Sequence, residues 1–279
     1  MYSQTFLSSV TLWCVSVLPL LFPFMLLSKF TADNDLLSPL ADNLRLTKKL
    51  LNIGGKGISA LLLGLLCGYP VGAKILSDYY TSGRIDKTSA KKLAFVTGGA
   101  SPVFCIGVVG ALFLKNALYG LIIYVVSLFC NIITGIIVKK VPYFENTAKI
   151  NEGSSLFDAM YPAISSCLTV GGFICLFGVI SAMAQSVAAS IFPFLNQTAL
   201  NVCLGFLEMT QGCKSASLLS VSYALPLCAF YIQFGGFCVN AQLSAYYSKC
   251  GLKVGIHIIA RVLQGAVCAL ICFVITLLL

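Results

Sequence analysis

The sequence predicts an all-α polytopic membrane bundle, made of two inverted repeats that each hold three spanning helices and a re-entrant or broken helical hairpin. Three observations predict it. Only 10% of the 279 residues are charged and 58% are hydrophobic, with mean hydropathy +0.94, whereas soluble domains carry about 25% charged residues. Six apolar stretches reach the length of roughly 20 residues that a helix needs to cross a bilayer. The basic side chains, finally, gather in alternate connecting segments.

The first stretch is Thr5–Leu27. No charged side chain occurs in the first 28 residues, and a signal peptide carries a positive segment ahead of its apolar core, so this stretch is expected to be a span. Pro19 and Pro23 are expected to kink it, which membrane helices tolerate. The other expected spans are Leu93–Leu114, Leu118–Val138, Ala163–Met183, Val221–Tyr246 and Ile259–Leu279. Gly57–Ala73 and Ala199–Ser220 are shorter and interrupted by Gly, Pro or polar residues. An amphipathic helix is expected at Ser155–Tyr161, with Asp158 near its N-terminus, where an acidic group is favoured.

Charge placement decides what the two short stretches do. If each enters and leaves on one side, with the N-terminus outside, the inner segments are 28–56, 74–92, 139–155 and 246–261, and they hold 16 of the 18 basic residues. Only Lys115 and Lys214 then fall outside. If Gly57–Ala73 crossed the bilayer instead, Lys74, Arg84, Lys87, Lys91 and Lys92 would lie outside, against the positive-inside bias. The order is therefore span, broken stretch, span, span, given twice, with halves 1–150 and 151–279. Three crossings per half is an odd number, so the second half is expected to be inverted. Both termini are then outside, in a multi-pass protein of the cell membrane.

Composition excludes other classes. The excess of 18 Lys and Arg over 9 Asp and Glu belongs to inner loops, not to nucleic-acid binding. The 13 cysteines mostly sit singly in apolar stretches, with no CxxC pair and no neighbouring His. No metal, cofactor or disulfide framework is expected from them. No Walker loop, HExxH or nucleophile elbow occurs, and the chain is not expected to be an enzyme.

The candidate contacts for a solute lie at the broken segments. Paired, Gly/Pro-interrupted segments in inverted halves mark a midplane binding site. Glu208 stands out, because it and Asp158 are the only acidic residues after Glu152. An ionisable group at that depth contacts a ligand, pairs with Lys214 or caps the break. Tyr69 in Gly68-Tyr69-Pro70, with Thr210 and Gln211 before Gly212, marks each turn. Lys74 and Lys214 follow Gly72 and Gly212 at equivalent places, as solute contacts or as interfacial lysines with snorkelling stems. Ser101 lies beside Gly98-Gly99, and small residues there serve packing as well as binding. Gln233 and Asn240, seven apart, share a helix face in an apolar span, whereas Gln242 is offset. His257 is expected in an interfacial turn with a structural role.

A family resemblance begins at Gly68-Tyr-Pro-Val-Gly-Ala-Lys74 and continues through Ser82-Gly-Arg-Ile-Asp86, Lys92-Leu-Ala-Phe95 and Ser101-Pro-Val-Phe104. It extends over Leu18-Pro-Leu-Leu-Phe-Pro23, Gly172-Phe-Ile-Cys-Leu-Phe-Gly178, Leu207-Glu-Met-Thr-Gln-Gly212 and Phe234-Gly-Gly-Phe-Cys-Val-Asn-Ala-Gln242, and ends at Arg261. The chain resembles sporulation integral membrane proteins of the YlbJ type, within the nucleoside-recognition (Gate) domain family. It departs from the family pattern at Thr97-Gly98-Gly99-Ala100 and at Asn240, where the family tends to show Asn and His. The resemblance implies re-entrant hairpins and unwound helices around a small polar, nucleoside-like solute, and an association with endospore formation. Two functions are expected from it: a transporter or channel for such a solute, or a sporulation factor that works through partner proteins or membrane remodelling. The expected partners are membrane lipid, that solute, and a second copy of the chain or other sporulation proteins.

Overall fold

The computed structural model describes residues 2–138, 153–192, 194 and 197–278. The described residues form helices and connecting turns, with no strand, in the order α1 (Tyr2–Leu12), a π-helical turn (Trp13–Val17), α2 (Leu18–Asp33), α3 (Ser38–Asn43), α4 (Arg45–Leu51), α5 (Gly55–Cys67), α6 (Val71–Thr81) and α7 (Lys87–Val96). A π-helical segment (Val103–Phe113) and α8 (Ala117–Ile137) complete this part. Then come α9 (Leu156–Ile191), α10 (Gln197–Leu204), α11 (Met209–Ala216), α12 (Val221–Phe234), α13 (Gly236–Tyr247), a short 3₁₀ turn (Ser248–Cys250) and α14 (Val254–Leu278).

This is a polytopic membrane bundle. Among the described residues four helical runs, Ala117–Ile137, Leu156–Ile191, Val221–Cys250 and Val254–Leu278, are long and apolar enough to cross a membrane. A fifth is added if Arg45–Leu51 and Gly55–Cys67, bent by 94°, form one span. Large side chains such as Ile137, Leu168, Leu263 and Leu270 are exposed, the face such a bundle turns to lipid.

Two expected spans are subdivided. Thr5–Leu27 lies within α1 and α2 but passes through the π-helical turn at Trp13–Val17. Pro19 lacks the N–H that would bond back to Val15 (four residues earlier), and π-turns accommodate such gaps. Leu93–Leu114 is a helix, an irregular stretch at 97–101 and a π-helical segment. Pro102 and the glycines before it explain that break. The helix expected at Ser155–Tyr161 is the first two turns of α9, which runs without interruption to Ile191. Ser155 and Asp158 form a reciprocal capping box at its start. Of the basic residues assigned to inner segments, Lys139, Lys140 and Lys149 lie outside the described residues, as does the junction of the halves at 150/151.

Several of those segments meet at one end of the bundle. Arg84 donates to the carbonyl of Ala32, and Lys56 is ion-paired with Asp35. Asn34 Nδ2 donates to the Ser154 carbonyl at 3.0 Å, and Ser154 Oγ lies 3.2 Å from Asp33 Oδ2. A Cβ at Gly251 would lie 2.8 Å from Lys87 Cε. Two basic residues of the inner set are corrected: Lys92 is 4% exposed on α7, and Arg261 is 0% exposed on α14, so neither faces water. His257 is likewise inside α14, not in a turn.

Candidate functional site

The site is built from two broken units. In the first, α5 and α6 cross where a Cβ at Gly72 would lie 3.0 Å from the Cα of Gly64. The turn needs glycine at Gly68, whose φ is +67° and whose Cβ would fall 2.3 Å from the Ser101 nitrogen. The next residue, Tyr69, donates its N–H to the Gly99 carbonyl at 2.8 Å, which ties the hairpin's break to the break after α7. In the second unit, α10 and α11 cross where a Cβ at Gly205 would lie 2.6 Å from the Cα of Gly212. Its break is tied in the same manner to the break at Gly235, which has φ +82°. Phe237 N–H donates to Phe206 O at 2.8 Å and Cys238 N–H to Leu207 O at 3.0 Å.

Tyr69 joins the two units. Its ring is buried, and its hydroxyl donates to the Ile232 carbonyl at 2.9 Å while lying 2.7 Å from Met209 Sδ. The first hairpin's tip thus touches the start of α11 and the end of α12.

Around this junction lies a polar layer carried by α14. His257, Arg261 and Gln264 stand at i, i+4 and i+7, on one face. The break after α7 releases carbonyls that would otherwise be bonded within the helix. Ala94 O accepts from Tyr247 Oη at 3.3 Å and contacts His257 Nε2 at 3.3 Å. Gln264 Nε2 donates to Thr134 Oγ1 at 2.8 Å and reaches Phe95 O at 3.4 Å. Gln233 Nε2 lies 2.5 Å from Asn131 Oδ1 and 3.2 Å from Gln264 Oε1. Beside the layer is a cavity of about 10 Å³ lined by Gly64, Thr97, Gly99, Ser127 and Asn131 among others.

Arg261 differs from its neighbours. Its Nε, Nη1 and Nη2 are buried with no hydrogen-bond partner among the described residues. The guanidinium lies 5.9 Å from the Tyr69 ring centroid, and a Cβ at Gly98 would lie 3.0 Å from Nη1. A cation–π contact near its outer range contributes about 0.5–1 kcal/mol, and the carbonyl end of α7 about another 0.3–1 kcal/mol. Neither supplies the hydrogen bonds that a buried guanidinium lacks here.

The expected contacts separate into three groups. Tyr69, Gln233 and Asn240 are buried at the junction. Asn240 Nδ2 caps the second break, donating to Phe234 O at 2.9 Å and Gly236 O at 2.7 Å. Glu208, Thr210 and Gln211 form the start of α11: the Thr210 N–H donates to Glu208 Oε1 at 3.0 Å and the Gln211 N–H to Oε2 at 2.8 Å. Of the roles weighed for Glu208, capping is present, and no ion pair joins it to Lys214 among the described residues. Gln211 and Lys214 are exposed. Ser101 Oγ accepts the Phe104 N–H at 3.2 Å, beside Gly68. Lys74 lies elsewhere, paired with Asp78 at 2.9 Å in a cavity of about 120 Å³ that Lys29, Asp33 and Arg84 also line. Among the described residues no group of three metal-capable side chains occurs.

Three junction residues escaped the sequence argument: Arg261, Gln264 and Asn131. Their signal was present. Each interrupts an apolar helix, and His257, Arg261 and Gln264 repeat at helical spacing.

The chain is similar to YlbJ. The sporulation integral membrane protein YlbJ of Bacillus subtilis (strain 168) is 26% identical over 303 aligned residues, which cover 94% of this chain and 74% of YlbJ. No protein-family model matches the chain, and no solved structure matches it. The relative is an integral membrane protein by name, in keeping with the multi-pass bundle seen here.

Proposed function

We propose that this chain is a sporulation membrane protein that passes a small polar, nucleoside-like solute through the junction of its two broken units, and that it performs no catalysis. The observation that carries the proposal is the meeting of two similar helix–break–helix units at Tyr69, surrounded by polar groups that the protein does not satisfy internally. Irregular backbone at membrane depth is tolerated where it is buried in protein or lines water, and broken helices in matched halves surround solute sites in transporters.

We infer that the halves 1–150 and 151–279 are inverted relative to each other. The open end of α5–α6 lies with the basic cluster, through Lys56 and Arg84. The other hairpin is tied to the far part of α9, where Gln185 Nε2 donates to Asn201 Oδ1 at 2.9 Å. At 1.5 Å per residue, Gln185 is about 40 Å along α9 from Leu156. Hairpins that enter from opposite sides, with both termini outside, account for these contacts. Loss of the basic cluster to the cytoplasm then follows the positive-inside bias.

Flux tests the proposal. In proteoliposomes, a panel of nucleosides, sugars, amino acids and organic anions is expected to include one solute that the protein moves saturably. Glu208→Gln is expected to abolish that movement. Movement at the normal rate would leave Glu208 as a helix cap and remove it from the solute path. A second function, a non-transporting sporulation factor that works through partner proteins or a second copy, is favoured by the tight filling of the junction, whose cavity is only about 10 Å³. An absence of saturable flux and binding across the panel would select it.

A further inference from the structure

Arg261 is wholly buried, and the four ion pairs among the described residues, Lys29–Asp33, Lys48–Asp42, Lys56–Asp35 and Lys74–Asp78, all lie elsewhere. A guanidinium is charged at any physiological pH and presents its N–H donors as a planar fork. The groups packed against it here supply an aromatic face at Tyr69 and bare backbone at Gly98, and neither accepts a hydrogen bond from it. Nearby, the Ala94 carbonyl is already engaged by Tyr247 and His257.

We propose that Arg261 is a binding residue for an oxyanion, the carboxylate or phosphate group of the solute that enters the junction between Tyr69 and Gly98. This rests on the solute-passing function proposed above and narrows its solute to one that carries an oxyanion, a phosphorylated or carboxylated molecule and not a neutral nucleoside. The fork geometry matches carboxylate and phosphate oxygens with two parallel hydrogen bonds, which an ammonium does not reproduce. Gly98 lets the backbone of the break approach the guanidinium closely, since any side chain there would press on Nη1. In the same polar layer, Gln233 Oε1 is buried without a partner. It is an acceptor for a hydroxyl or amine of the same solute. A polar but uncharged solute would leave the cation as it stands.

The experiment is a thermal-stability titration of the purified full-length chain in detergent, at constant ionic strength, with inorganic phosphate, succinate and uridine. Phosphate or succinate is expected to stabilise the wild type saturably, and uridine is not. Arg261→Gln is expected to weaken the anion response about 100-fold, as for truncation of a buried charged contact. Arg261→Lys, which keeps the charge and loses the fork, is expected to weaken it about 10-fold. If Arg261→Gln fails to fold, Gly98→Ala reads the same site by crowding the guanidinium, and is expected to lower anion affinity while the protein remains folded. An unchanged anion response in Arg261→Lys and Gly98→Ala, or a response to uridine alone, overturns the assignment. The second result leaves the solute-passing function standing. A parallel arm uses vesicles of phosphatidylglycerol or phosphatidylcholine. Arg261-dependent stabilisation by phosphatidylglycerol, with no response to soluble anions, would assign the oxyanion to a lipid headgroup and overturn the solute as its source.

Discussion

The first hairpin, α5–α6, and the second, α10–α11, cross at matching glycine pairs and tie their breaks to the following helix by backbone hydrogen bonds. Their polar groups are settled differently. In the second unit the backbone groups of the break are closed from within: Asn240 Nδ2 caps two carbonyls, leaving its own Oδ1 buried without a partner among the described residues, and the Glu208 carboxylate caps two N–H groups of its own helix. In the first unit the released carbonyls are reached from outside, by Tyr247 of α13 and by His257 and Gln264 of α14, and Arg261 beside them has no partner among the described residues. One architecture thus leaves an unpaired neutral acceptor at one break and an unpaired cation at the other. The second is where an anionic ligand has most to satisfy.

The largest expected effect comes from the crossings. A Cβ at Gly205 meets the Cα of Gly212 at 2.6 Å, which is backbone and cannot give way, whereas a Cβ at Gly72 meets the Cα of Gly64 at 3.0 Å, a contact that a small shift relieves. Gly205→Ala is therefore expected to cost about 3 kcal/mol and Gly72→Ala about 1 kcal/mol, within the range for overpacking. Thermal unfolding in detergent checks the order, and equal losses would erase this difference between the units.

A smaller effect separates the caps. Asn240→Leu strips two carbonyls of their shared donor and is expected to cost about 2 kcal/mol. Gln264→Leu removes a contact to Thr134, a long one to Phe95 and one accepted from Gln233, whose Nε2 keeps Asn131, and is expected to cost about 1 kcal/mol. Chemical unfolding would rank them. A greater loss at Gln264 would mean that the first break depends on α14 more heavily than its distances indicate.

Much of this was legible in the chain. The turn at Tyr69–Pro70 was placed by glycine and proline, whereas the turn expected at Thr210–Gln211 lies earlier, at 205–208, because the Glu208 carboxylate caps Thr210 and Gln211 into the first turn of α11. The spans at α8, α9 and α14 follow from length and hydropathy. What escaped was the meaning of charge and small residues near span ends. Arg261 was counted with Lys253 as an inner-loop charge, because sequence distance to a basic segment does not show which helix face a side chain occupies. Gly98-Gly99 was set inside a continuous span, because packing and unwinding use the same residues. The contact of Tyr69 with Met209 and Ile232 is non-local, and no spacing in the sequence encodes it.

The opposed orientation proposed for the two hairpins underlies the solute site, and single-cysteine labelling in a cysteine-free background tests it most directly. Lys87 follows the first hairpin and Leu218 follows the second, and both side chains are exposed. The cysteine of Lys87→Cys is predicted to react with an impermeant maleimide only from the cytoplasmic side, and that of Leu218→Cys only from the outer side. Labelling of both from the same side would contradict the inverted arrangement and, with it, a solute site between opposed halves.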